Sequence, residues 1–293
     1  APDGQPVLLL HGGPGSSASA MQRRFFDPGR YRIVQFDQRG CGRSRAANPL
    51  RHNHAAALID DIERIRESLG IARWLVSGGS WGATLAACYA AAHRDAVAGL
   101  LLRALFLTGR TDLEWFFGGA GACLPDEWQR FVECVPRCRR RRLQPWLWRV
   151  FAVGDEAAML RVATAWRRWE AALQGNPPPA DAADAQTVRR YRIQAHYLAR
   201  ECFLGERRVI AAIARLHGLP VLFVHGRRDL VCRPANGWKA WRSLSGSRLL
   251  WVDEAGHDPF SPAMVRALRL AADHWLQHAS FAPLGEVRTT PWR

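Results

Sequence analysis

Lysine is nearly missing from this chain: Lys239 is the only one, although lysine and arginine together number 41 and the formal net charge is +15. Charge carried almost wholly by arginine, in a chain also rich in alanine, matches the coding bias of a GC-rich genome. A phosphate-binding stripe would come with a recognised nucleic-acid motif, and none accompanies it. The run Arg139-Arg140-Arg141-Arg142 is therefore read as a solvated face. No apolar run approaches the roughly 20 residues that cross a bilayer, so no membrane partner is expected. Val7 to Leu10 is too short for a signal-peptide core and no basic segment precedes it. The seven cysteines include no C-x-x-C pair. That excludes a paired disulfide framework, points to a reducing, cytoplasmic compartment and leaves no metal site expected. There is also no Gly-Lys-Ser/Thr ending to a glycine loop, which excludes a P-loop. No cofactor is expected.

What is present is alternation. Short apolar runs at Val7–Leu10, Tyr31–Phe36, Trp74–Ser77, Gly99–Arg103, Pro220–His225 and Ser247–Val252 end in turn residues and read as buried parallel strands. Helical patterns lie between them at Ala55–Leu69, Trp81–Ala92, Pro234–Ser243 and Ser261–Gln277. The class is α/β, with a mostly parallel sheet covered on both faces. The alternation stops between Gly109 and about Leu216, a stretch rich in tryptophan, arginine and alanine without a convincing strand. This predicts a core of residues 1–108 and 217–293 and an all-helical cap of residues 109–216, over the strand ends where ligands bind. The chain opens on Ala1 rather than Met, which is read as an upstream portion cut or left out.

Gly78-Gly79-Ser80-Trp81-Gly82 fits G-x-S-x-G, follows a predicted strand and opens a predicted helix. That context marks a nucleophile turn, with Ser80 held out for attack. A serine hydroxyl needs a base, and the base needs an orienting acid. Asp229 follows the strand ending near His225, and His257 follows the strand ending at Val252, in the chain order this arrangement uses. Asp253 and Asp258 are the nearest rivals for the acid. His11-Gly12-Gly13-Pro14-Gly15 follows the first strand, and its glycines leave backbone N–H groups free to meet an oxyanion. The two donors are assigned to the amides of Gly13 and Trp81. These residues predict a serine hydrolase working through an acyl-enzyme. Its rivals are an esterase or amidase of other acyl specificity, and a non-catalytic binding protein on the same fold.

Three segments together are more specific than any one: His11 to Gly15, Asp37-Gln38-Arg39-Gly40-Cys41-Gly42-Arg43-Ser44 and Gly78 to Gly82. With Arg103-Ala104-Leu105-Phe106, Glu114-Trp115-Phe116, Trp169-Glu170 and His225 through Cys232, the chain resembles the prolyl aminopeptidases (proline iminopeptidases). The resemblance implies the α/β-hydrolase fold and release of N-terminal proline from small peptides. It also implies amine binding by Glu170, a ring pocket of Phe106 and Phe116, and places for Arg103 and Cys232 at the substrate site. Two departures stand out. Where the family reads Arg-Ile-Glu-x-His-Tyr, with the glutamate as second amine ligand, this chain has Gln194. The family's N-terminal strands are also absent, so the sheet is expected to begin with the strand before the glycine loop.

Overall fold

The computed structural model describes residues 1–44 and 46–284. The last nine residues assigned to the core thus lie outside the described residues. Six strands form one sheet: β1 Gln5–Leu10, β2 Tyr31–Gln35, β3 Trp74–Gly79, β4 Val97–Arg103, β5 Val221–Gly226 and β6 Arg248–Val252. Their order is β2-β1-β3-β4-β5-β6, and all five pairings are parallel. Strand order reverses direction between β1 and β3, which opens a crevice beyond their carboxyl ends. The glycine loop after β1 and the serine turn after β3 both sit there.

The described residues form ten α-helices, α1 Ala55–Ser68, α2 Trp81–Ala92, α3 Arg110–Phe116, α4 Pro125–Glu133, α5 Leu143–Val153, α6 Glu156–Leu173, α7 Ala185–Leu198, α8 Gly205–Ala214, α9 Pro234–Arg242 and α10 Pro262–His278. The strands separate two apolar layers. Leu8, Leu10 and Val76 face α1, α2 and the inserted helices, while Val7, Leu9 and Leu75 face α10. Every residue of α2 from Trp81 to Ala90 is buried, as expected of a helix apolar on all sides. Gly82 allows this close fit, since a Cβ there would run into the Leu10 carbonyl oxygen.

Four strand starts differ from the sequence pattern, β1 beginning two residues earlier at Gln5 and β6 one residue later at Arg248. β4 begins at Val97 because Gly99, read as a boundary, lies inside the strand under the ring of Trp275. β5 begins after Pro220, which has no N–H for the ladder, though its carbonyl still accepts from Leu100 N at 2.9 Å.

From Arg110 to Ala214 the chain is helical, with 3₁₀ turns between several helices and a loop over 174–184 between α6 and α7. Helices α4 to α7 cluster around Phe117, Phe131, Phe151, Trp166 and Trp169, which meet edge-to-face or stacked with ring centres about 5–6 Å apart. α8 departs from that cluster and packs on α2, so it belongs to the layer over the sheet. The arginine run forms an exposed 3₁₀ turn with no buried member.

Candidate active site

Ser80 sits between the end of β3 and the first turn of α2 with φ 58° and ψ −123°. A left-handed φ is costly for any residue with a Cβ. Here it is held because Ser80 N donates to the Arg103 carbonyl at 2.9 Å while the Ser80 carbonyl accepts from Ala83 N at 3.0 Å. The strain turns the side chain toward a cavity of about 440 Å³ that lies between sheet and cap.

His257 lies in the loop after β6 and lines the same cavity. Its Nδ1 meets Asp229 Oδ2 at 2.8 Å. Asp229 is 1% exposed, and its Oδ1 accepts from the amides of Val231 at 2.9 Å and Cys232 at 2.8 Å. Burial alone pushes its carboxyl up. The imidazole of His257, the bond to it, His225 and the Cys232 amide together outweigh that and leave it below the usual carboxylate range. The rival Asp253 is instead paired with Arg227 at 2.7 Å, and Asp258 lines the cavity mouth.

The Ser80 hydroxyl points to Cys232 Sγ at 3.7 Å. Among the described residues it makes no hydrogen bond to His257, although both side chains line the same cavity. Cys232 is 2% exposed, and burial holds its thiol well above the ordinary range. His225, which the motif reading passed over, clamps the same loop: its Nε2 meets the Cys232 carbonyl at 2.8 Å. Burial lowers its pKa, so at neutral pH it is uncharged and donates from Nε2. Arg103 is buried below the serine turn, where its Nη1 donates to the His257 carbonyl at 2.8 Å. It thus ties the histidine loop as well as lining the cavity.

The glycine loop and the start of α2 are joined by one side chain. Gln38 Nε2 donates to the His11 carbonyl at 2.8 Å, and Gln38 Oε1 accepts from Trp81 Nε1 at 2.9 Å. Gln38 N donates to His11 Nε2 at 3.0 Å, which puts the ring proton of His11 on Nδ1, 3.0 Å from the Gly12 carbonyl. Burial lowers His11 to about 4, so this arrangement is neutral. Gly13 has φ +114°. Gln38 thus links the residue before the glycines to the indole of Trp81, next to Ser80.

At the cap end the cavity is lined by Phe106, Leu113, Phe116, Phe117, Leu198 and Val231. Phe116 and Phe117 meet edge-to-face at 4.7 Å, and Trp169 Nε1 fixes the Phe116 carbonyl at 3.0 Å. Phe117 was not singled out from the sequence, although its place beside Phe116 was a usable hint. Glu170 is 7% exposed and accepts from Gln194 Nε2 at 2.7 Å, Arg190 Nη2 at 2.7 Å and Tyr191 OH at 2.8 Å. Gln194 is thus a donor to Glu170 as well as a cavity residue.

Comparison with known proteins agrees with this geometry. The α/β hydrolase fold family matches residues 5–262. A proline iminopeptidase from Xylella fastidiosa is 38% identical over 282 residues, covering 94% of this chain and 90% of that protein. One from Neisseria meningitidis is 39% identical over 281 residues, with 94% and 90% covered. This chain belongs to the proline iminopeptidase family. An Arabidopsis thaliana proline iminopeptidase is 37% identical, with 92% of this chain and 73% of that protein covered. A Thermogutta terrifontis esterase structure shares the fold at TM-score 0.60 and 19% identity, covering 94% of this chain and 90% of its own. A Paleococcus ferrophilus monoacylglycerol lipase does so at TM-score 0.59 and 16% identity, covering 94% and 97%.

For a proline iminopeptidase relative, the predicted residues gather round one cavity except Trp81, whose side chain is fully buried beside Ser80 and does not line it. Ser80, His257, Gly13, Cys232, Arg103, Phe106, Phe116, Glu170 and Gln194 all line one cavity, with Asp229 directly behind His257. The residues to which the sequence reading gave no role are those that hold the others: Gln38, His225, Arg190 and Tyr191. No helix among the described residues is long and apolar enough to cross a membrane.

Proposed function

We propose that this protein is a serine aminopeptidase that releases N-terminal proline from small peptides through an acyl-enzyme. The observation that carries the reading is the meeting, in one cavity, of an activated-serine set with an aromatic end pocket that contains a buried carboxylate. The names of its relatives support it. Ser80 attacks the carbonyl of the first residue while His257 takes its proton, and Asp229 holds the imidazole with Nδ1 protonated. The amides of Gly13 and Trp81 stabilise the oxyanion, a role worth about 2.7–4 kcal/mol per donor in comparable sites. His257 then protonates the leaving amine, and water releases proline by the reverse route. Phe106, Phe116 and Phe117 enclose the pyrrolidine ring, and Glu170 with Gln194 meets its nitrogen. Seven free cysteines suit a reducing compartment, and the cytoplasm is the proposed location.

A second reading, an esterase or amidase with less demand for a free amine, is favoured by the engagement of Glu170 with Arg190. A panel of aminoacyl arylamides and short-chain esters separates the two. Selective hydrolysis of the prolyl arylamide is the expected result. Rapid ester turnover with no cleavage of prolyl substrates would install the second reading, and a phosphonate that leaves Ser80 unlabelled would remove both.

A further inference from the structure

Glu170 stands at the roof of the cavity with its charge already answered. Three of the roughly four lone-pair positions of a carboxylate are filled by Arg190, Tyr191 and Gln194. A guanidinium keeps its proton at every working pH, so the Arg190–Glu170 pair, 2.7 Å apart, carries no net charge. Gln194 adds none. Its Nε2 is committed to Glu170, which leaves Oε1 as a buried acceptor without a partner among the described residues. The side chain is 5% exposed and lines the cavity. A buried acceptor without a donor is a place for a ligand N–H.

We propose that the acyl pocket recognises its substrate through one uncharged N–H offered to Gln194 Oε1, so that an N-terminal proline is taken as the neutral amine. This deepens the aminopeptidase reading and rests on it. A protonated amine would bring a full charge into a pocket whose nearest carboxylate is paired, and its lost hydration would go unreturned. The charged and titratable groups around the site are Arg190, Tyr191 and Arg167 from the cap helices, His11, Asp37 and Cys41 from the loops below, and Arg103, Asp112, Asp229, Cys232, His257 and Asp258 at the floor. Burial pushes Tyr191 and Cys232 well up, raises Cys41 to about 12 and lowers His11 to about 4, so these four keep one charge state across neutral pH.

The test compares a prolyl arylamide with its carbocyclic isostere, a cyclopentanecarbonyl arylamide, as kcat/KM from about pH 6 to 10. In both, the Ser80 Oγ–carbon bond forms as the arylamine carbon–nitrogen bond breaks. The amine leaves with the proton from Ser80, and water then cleaves the ester. The isostere has no titrating nitrogen, so dividing one profile by the other cancels the contribution of His257. We expect both to be cleaved, the isostere about tenfold more slowly above about pH 8 for the loss of one neutral hydrogen bond. The prolyl-to-isostere ratio should rise nearly tenfold per pH unit until the substrate amine titrates, near about pH 8. Arg190→Met frees the charge of Glu170 and should reverse that slope. If this variant fails to fold, the wild-type ratio alone decides. A ratio that is flat or falls with pH, or an isostere untouched while the prolyl substrate is cleaved, overturns the proposal alone. Turnover of neither substrate overturns the aminopeptidase reading with it.

Discussion

At the floor of the cavity a buried carboxylate, Asp229, faces an imidazole that can gain or lose a proton. At the roof another, Glu170, faces a guanidinium that cannot lose one. Both carboxylates take three hydrogen bonds, and both are more than nine-tenths buried. The difference lies in the partner. The floor is arranged so that charge can appear during the reaction and be met when it does, which is the condition for acid–base work. The roof is arranged so that charge is settled beforehand, which suits recognition by shape and by hydrogen-bond polarity.

The comparison can be broken first at the floor. Ser80→Ala should lower kcat for a prolyl arylamide by about 10⁴–10⁶, with the thermal midpoint little changed. Retention of more than about 1% of the activity would place the nucleophile elsewhere. At the roof the expected loss is structural. Glu170→Gln leaves Arg190 without its counter-charge and should destabilise the fold by about 2–3 kcal/mol in urea unfolding. This is below the about 3–5 of a fully buried pair because a third of the Arg190 side chain is exposed. An unchanged midpoint would mean that solvent already carries that charge. A gentler change sharpens the contrast. Gln194→Glu sets two carboxylates at the present 2.7 Å contact, which cannot both stay ionised without a cation beyond Arg190. A protonated substrate amine supplies one, so kcat/KM for the prolyl arylamide at neutral pH should rise about tenfold. A fall would show that Gln194 matters as the donor to Glu170. The smallest effect concerns pH. The carboxyl of Asp229 lies below its unfolded value, so its contribution to stability is complete above about pH 4 and is lost as pH falls through the folded value. Urea midpoints at pH 5 and pH 3 should differ more in the wild type than in Asp229→Asn.

Most of the floor was legible from local pattern. Ser80, Asp229 and His257 each follow a strand end, and a strand ending in a turn residue is a short-range signal. The family resemblance marked Glu170 and Gln194 as substrate ligands but could not show that they bond to one another. They lie 24 residues apart on α6 and α7, and only packing of the two helices brings them together. Arg190 was invisible for a related reason. In a chain with this much arginine nothing local separates an ion-paired guanidinium such as Arg190 from the solvated ones of Arg139 to Arg142. α8 was assigned to the cap because helical pattern says nothing about which layer a helix joins.

Gln38 meets neither substrate nor serine, yet it touches the strand-end residue His11 on one side and the indole of Trp81 on the other. The separation of the two proposed amide donors, Gly13 and Trp81, is therefore gauged by the length of a single side chain. Shortening it by one methylene would shift the two halves of that cradle relative to each other while every residue in contact with the reacting carbonyl stayed the same.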